Sequence, residues 1–376
     1  MTAKDIKRVT EQGFKLDEDG SSNINLALIS LRLALKAYFA TYKSFSYRIR
    51  SLDAKNASSE EEIILNHRSA YCEAYTECIV HFQHFAELSC KSFLRNDHQL
   101  LADSVIRAPE LLHKLVHKKK LTVDEEQKLF SAEFGESLTR LRDLVKTGQL
   151  KGSKKLGFIL AHYDALVQLN SLRNRVWHRG LYVLKYTALD EFVGRYLLPY
   201  VVDTLNHPLF KGEEINWKYK SLACGLDPIA EIIKHFANET YDVGKVAFFK
   251  ELGRSAYENR LPPVTKVKKR SKEAKKFIFD TMFGSERKAR AERIAKSEAA
   301  QDYNHVTECP TCGAKSLIVH EETDYDYDEQ TDELVNYRRY THRVHCEGCT
   351  FTLEDAVKNA SDYGIPGIKD FFIAEA

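Results

Sequence analysis

Two CxxC knuckles, Cys309-Pro-Thr-Cys312 and Cys346-Glu-Gly-Cys349, constrain this chain more than any other feature. A two-residue gap lets both thiolates of a knuckle reach one tetrahedral ion. Two such knuckles complete a closed, structural Zn2+ shell with no open position for catalysis. The 33 residues between them must leave the metal and return to it. Within that stretch SLIVHEETDYDY and LVNYRRYTHRV read as two strands around DEQTDE, which predicts a long zinc-ribbon hairpin. The outgoing strand and turn are acidic (Glu321, Glu322, Asp324, Asp326, Asp328) and the returning strand is basic (Arg338, Arg339, Arg343), so cross-strand charge pairs support the hairpin. That pairing competes with nucleic acid for the basic strand. Tyr325, Tyr327, Tyr337 and Tyr340 are able to stack bases, but alternating tyrosines are equally ordinary strand residues. Redox chemistry at the four cysteines is disfavoured, because thiolates closed on a metal leave no free nucleophile. The remaining cysteines, Cys72, Cys78, Cys90 and Cys224, are scattered and read as small core residues.

Everything before Pro263 carries helical periodicity. Leu26, Leu28, Leu31, Leu35, Tyr38, Phe39, Tyr42 and Phe45 recur mainly at spacings of three and four and mark a first amphipathic helix. Ser58 with Glu61 and Ser59 with Glu62 form capping boxes for a second, running from about Glu60 to Leu94 with a kink expected near Ala70. Further helical segments fill 96–150, 156–172, 181–197 (ending near Pro199 or Pro208), 228–238 and 241–258. No run here alternates as a strand does, so the body reads as all-α. His113 and His117 have the spacing of two ligands on one helix face, but flanking lysines and the lack of a nearby carboxylate favour a solvated face. The opening MTAKDIKRVTEQGFK predicts neither a signal peptide nor a spanning helix, and the expected compartment is the cytoplasm. A net charge of +2 makes global attraction to nucleic acid weak, so any such binding must rest on local patches. The segments KVKKRSKEAKK and SERKARAERIAK supply one, with twelve lysines and arginines on a helical linker that is either a solubilising connector or a phosphate-binding arm.

Ser171 to Gly180, SLRNRVWHRG, gathers arginines around one histidine. Arg173 and His178 are five residues apart, a rotation of about 140° on an unbroken helix, so they do not share a face. They converge on one phosphate only if the helix starts, ends or bends there, or if a second subunit brings its own copy.

Arg173-Asn174-Arg175-Val176-Trp177-His178 resembles the Arg-polar-x3-to-5-His motif of HEPN domains, helical bundles that often dimerise and often cut RNA without a metal. FAELSCKSFL, with Glu87 and Lys91 one turn apart, is similar to the glutamate-and-lysine helix of that family. The resemblance covers roughly residues 24–206, with 96–150 an apparent insertion. It does not extend to the basic linker or the ribbon. With it the chain reads as mainly α: a HEPN-like bundle over 1–212, then, from the residues themselves, additional helices over 213–263, a basic helical linker over 264–300 and the small β zinc ribbon over 301–376. The resemblance implies an endoribonuclease, as a toxin or antiviral defence effector. His178 is then the general base or acid, Arg173 the cation that stabilises the phosphorane, and Asn174 the residue that positions the phosphate. Glu87, Lys91, Arg175 and Arg179 are supporting candidates. The expected partners are an RNA substrate, a second copy of the chain, and a neutralising or activating protein, with no membrane and no cofactor for catalysis. The competing reading takes Arg173 and Arg175 as surface arginines, His178 as a hydrogen-bonded residue, and the protein as a non-catalytic adaptor for nucleic acid or protein.

Overall fold

A computed structural model of the chain describes residues 25–52, 69–104, 109–117, 119–122, 125, 130–180, 182–261, 273–300, 304–328 and 330–373. Asn25 starts the first helix, α1 (Leu26–Ala40), by accepting the backbone N–H groups of Ala27 and Leu28 at 3.0 and 3.4 Å. This satisfies two donors that the first turn leaves without partners. Leu28, Leu31, Leu35, Tyr38 and Phe39 turn inward. The chain then tightens into a 3-10 segment, Thr41–Leu52, that buries Tyr42, Phe45 and Ile49. α2 (Ser69–Arg95) packs along α1 through Tyr71, Tyr75, Cys78, Phe82 and Phe85. The capping boxes expected at Ser58 and Ser59, and the helix start expected at Glu60, lie outside the described residues.

The stretch 96–150 holds α3 (Pro109–Val116) and α4 (Phe134–Lys146), but it is not wholly helical. Asp103–Ser104 (β1) pairs antiparallel with Phe130–Ser131 (β2), a ladder that the all-α reading missed because two-residue strands are too short to alternate. His113 and His117 are exposed with ring centroids 4.3 Å apart. α5 (Phe158–Arg179) runs antiparallel to α2: Phe93 near one end of α2 meets Phe158 at 6.1 Å, and Tyr71 near the other donates to the Leu184 carbonyl at 2.6 Å. α6 (Tyr186–Glu191), a π turn (Phe192–Leu197) and α7 (Leu198–Asn206) form one continuous run. Of the two expected stops, the run passes through Pro199 and ends at Asn206, just before Pro208. A proline has no N–H for residue i−4, and the widened turn directly before it accommodates its ring. The π turn also carries Gly194, where a Cβ would meet the Phe236 ring at 2.3 Å.

After α8 (Glu214–Trp217) and α9 (Pro228–Ala237) comes the central helix, α10 (Val243–Glu258), with 13 of its 16 residues buried. A helix buried all round must be the core that the others cover. α11 (Glu273–Glu298) then leads into a four-stranded antiparallel meander of β3 (His305–Thr307), β4 (Leu317–Asp328), β5 (Glu333–Cys346) and β6 (Thr352–Glu354). The protein is thus mainly helical with a small C-terminal sheet. The apolar core runs without a break from α1 and α10 into Leu317, Val319, Val344 and Leu353. No helix among the described residues is long and apolar enough to cross a membrane.

α10 also carries charge into this core. Lys250 and Asp190 form an ion pair with both side chains fully buried. Lys250 Nζ also donates to Thr41 Oγ1 at 2.9 Å and Tyr186 Oη at 3.2 Å, and it lies 4.4 and 4.2 Å from the ring centroids of Tyr38 and Tyr186. Burial pushes Asp190 up and Lys250 down, each toward its neutral form, while their mutual attraction opposes both shifts. Removing one partner leaves the other desolvated and alone. Lys250→Met should therefore cost about 3–5 kcal/mol in urea unfolding, and adding Asp190→Asn should recover part of that loss.

Candidate active site and metal centre

α5 carries Arg173, Asn174 and His178 in its last two turns. Gly180 ends the helix in the left-handed region at φ 62°, with its N–H on the Val176 carbonyl at 3.1 Å. A side chain there would be strained, so glycine fixes where the helix stops. The helix remains regular from Phe158 through Arg179, which places Arg173 and His178 about 140° apart around its axis. Arg173 is half-buried and donates from Nη1 to Asn174 Oδ1 at 3.1 Å. Its guanidinium lies 5.6 Å from the Trp177 ring centroid, and its Nε is buried without a partner. His178 is exposed, on the outward stripe that also holds Leu160, Val167, Asn174 and Arg175. Arg175 lies over Tyr182 at 4.8 Å, and the side chain of Arg179 lies outside the described residues.

One copy of the chain therefore brings Arg173 and Asn174 together and keeps His178 on the Asn174 side of the helix, turned away from Arg173. The helix end adds a second constraint. A C-terminus presents carbonyls and partial negative charge, so a phosphate here has to be held by arginine side chains rather than by backbone. Cavities of 300 Å³, lined by Lys36, Glu73, Glu77, Arg254 and Glu258 among others, and 240 Å³, beside His235, do not include the motif.

The Glu87–Lys91 pair is real, with Lys91 Nζ 2.5 Å from Glu87 Oε1 and Gln83 Nε2 on the other oxygen at 3.1 Å. It is not beside Arg173. Phe93 meets Phe158 and Tyr71 meets Leu184 just past the other end of α5, so Glu87 is level with about residue 164, roughly 14 Å along the helix axes from Arg173.

Cys309, Cys312, Cys346 and Cys349 converge as their spacing predicts. Their sulfurs are buried and all lie within 4.8 Å of one another, an arrangement that can hold a metal ion, and among the described residues it is the sole such cluster. Four thiolates this close repel each other unless a cation neutralises them. The outer contacts point at sulfur as well: the Gly348 N–H and Ser316 Oγ each lie 3.3 Å from Cys346 Sγ.

Both knuckles are held by the helical body. At the second, Arg254 Nη2 donates to the Thr350 carbonyl and Nη1 lies 3.2 Å from Thr350 Oγ1. Arg254 is oriented by Glu251, whose two carboxylate oxygens accept from its Nε and Nη2, both at 2.6 Å. The same carboxylate accepts from Tyr42 Oη and, at 2.6 Å, from the Thr352 N–H. Burial opposes the Arg254 charge, but Glu251 more than offsets it and the guanidinium stands above its ordinary value. At the first knuckle, Thr311 Oγ1 lies 2.9 Å from Ser255 Oγ, and the Ala223 and Cys224 N–H groups reach the Thr311 and Pro310 carbonyls at 3.0 and 2.9 Å. Sequence reading passed over Lys250, Glu251 and Arg254. Their signal was three charges inside the apolar run VAFFKELGRSAY, where an amphipathic surface helix would have segregated them.

Comparison of the chain with protein-family models, with curated proteins and with solved structures finds no match.

Arg254→Met should leave the buried Glu251 carboxylate without its cation. The expected cost is about 3–5 kcal/mol in chemical denaturation. Amide exchange at Thr350 and Thr352 should rise together with it.

Proposed function

We propose that the protein is a metal-independent endoribonuclease of HEPN type, acting as a toxin or antiviral effector in the cytoplasm. The observation that carries this reading is the Arg173-Asn174-x3-His178 motif on the last two turns of α5, with Asn174 and His178 exposed and Arg173 half-buried. The residue types suit attack by the RNA's own 2′-hydroxyl. His178 takes the hydroxyl proton or returns one to the leaving 5′-oxygen, and Arg173 offers a planar cation to the charge that builds on phosphorus. Asn174, already bonded to Arg173, holds the guanidinium in place and positions a phosphate oxygen.

The 140° between Arg173 and His178 makes the reading a dimeric one. Leu160 and Val167 on the His178 stripe, and Trp177 beside Arg173, are apolar side chains left exposed on α5 that a second copy would cover, bringing a second His178 across from the first Arg173. The metal at the cysteine cluster is zinc in this account, since four thiolates and no open position suit Zn2+ in a structural role. It stays outside the chemistry. The second reading, a non-catalytic adaptor, draws on the long exposed part of the β4–β5 hairpin.

The two separate on one experiment. RNA incubated with wild-type protein in EDTA should be cut to cyclic-phosphate ends, and His178→Ala should cut it about 10²–10⁴-fold more slowly. Equal cleavage by both proteins would remove the active site from α5.

A further inference from the structure

Beyond His320 and Arg343 the sheet narrows to two strands, because β3 pairs only as far as Val319 and β6 only as far as Arg343. From Glu321 to the turn, β4 and β5 form an arm about 27 Å long with no third strand on either edge among the described residues. Past Glu321, whose side chain is buried, most of its side chains are exposed, including Tyr325, Tyr327 and Tyr337, the last at 66 %. A two-stranded ribbon with no covered face is marginal in water, so an arm of this length is built to be covered.

Its charge says by what. Residues 321–340 hold eight carboxylates against two arginines. The whole chain carries +2, so the remaining residues carry +8 against the arm's −6. An acidic arm repels phosphodiesters, which sets nucleic acid aside and favours a basic protein surface.

The chain carries such a surface on α11. Ala291 and Ala295 face the sheet, while Arg287, Arg290, Arg293 and Lys296 are exposed and make no ion pair among the described residues. This basic face is out of reach of its own arm. The Lys315 N–H reaches Glu292 Oε1 at 3.1 Å, and Glu298 at the end of α11 acts on His320, so α11 and β4 advance the same way. The earlier turns of α11 therefore lead away from the arm. Two oppositely charged elements leave one base in opposite directions.

We infer that the β4–β5 arm of one copy docks on the basic face of α11 of a second copy, as a salt-sensitive interface separate from the α5 face. This does not rest on the nuclease reading. Arm meets α11 and α11 meets arm, a self-complementary pairing that closes on a two-fold axis.

The test uses full-length chains carrying Leu160→Glu and Val167→Glu, which takes the α5 face out of self-association. One variant adds Glu322→Lys, Asp324→Lys, Asp328→Lys and Glu333→Lys; the other adds Arg287→Glu, Arg290→Glu and Arg293→Glu. In sedimentation velocity the unreversed chain should dimerise, and raising salt from about 0.05 M to about 0.5 M should weaken it at least tenfold. Each reversed variant should be monomeric, and mixing the two should restore a heterodimer, because both contacts regain opposite charges. A monomeric unreversed chain, a dimer indifferent to salt, or reversed variants that stay dimeric alone or stay apart when mixed would overturn the inference. Metal content and circular dichroism equal to those of the unreversed chain establish that the variants are folded, and the salt dependence stands without them.

Discussion

Glu251 is the point at which the two halves of this protein become one. Its carboxylate is fully buried, which would be prohibitive for an unpaired charge, and it is met by four donors: two from Arg254, the Tyr42 hydroxyl and the Thr352 N–H. Tyr42 belongs to the first helical hairpin, Arg254 to the central helix and Thr352 to the sheet. A residue on each part is thereby fixed to one group. The four converging cysteines, which can hold a metal ion, close the 33-residue excursion between the knuckles, and Arg254 and Ser255 fasten both knuckles to α10. The ribbon is anchored to the body rather than tethered to it, and what it offers to a partner is the arm at its far end.

The same rigidity limits what α5 can do. A helix that stays regular through Arg173 and His178 cannot turn both toward one phosphate, and the cation is already engaged with Asn174 and Trp177. Catalysis in the proposed sense then has to be assembled between copies. The exposed apolar stripe on α5 and the open surface around His178 are what such an assembly would use.

Much of the fold was legible because it rests on short-range rules. The CxxC spacing predicts the convergence of the four cysteines, and the period of three and four in LALISLRLALKAYF gives the buried face of α1. What was not legible depends on distant pairing. Pro199 reads as a stop until the π turn before it is seen, and Asp103 pairs with Ser131 across a stretch with no strand pattern. Glu251 and Arg254 look like ordinary surface charges until Tyr42 and Thr352, far away in sequence, surround them. For the candidate site, the sequence supplied the residues and the angle between Arg173 and His178. The helix that carries Glu87 and Lys91 does pack against α5, with the pair nearer the end of α5 away from Arg173.

The account turns on whether the active site is shared between copies, and subunit mixing addresses that directly. Arg173→Ala and His178→Ala chains should each be silent alone. Co-refolded in equal amounts, they should recover about a quarter of wild-type RNA cleavage, the statistical share of two-fold sites that keep one intact arginine and one intact histidine. A mixture as silent as its components would contradict a site built across two copies of α5.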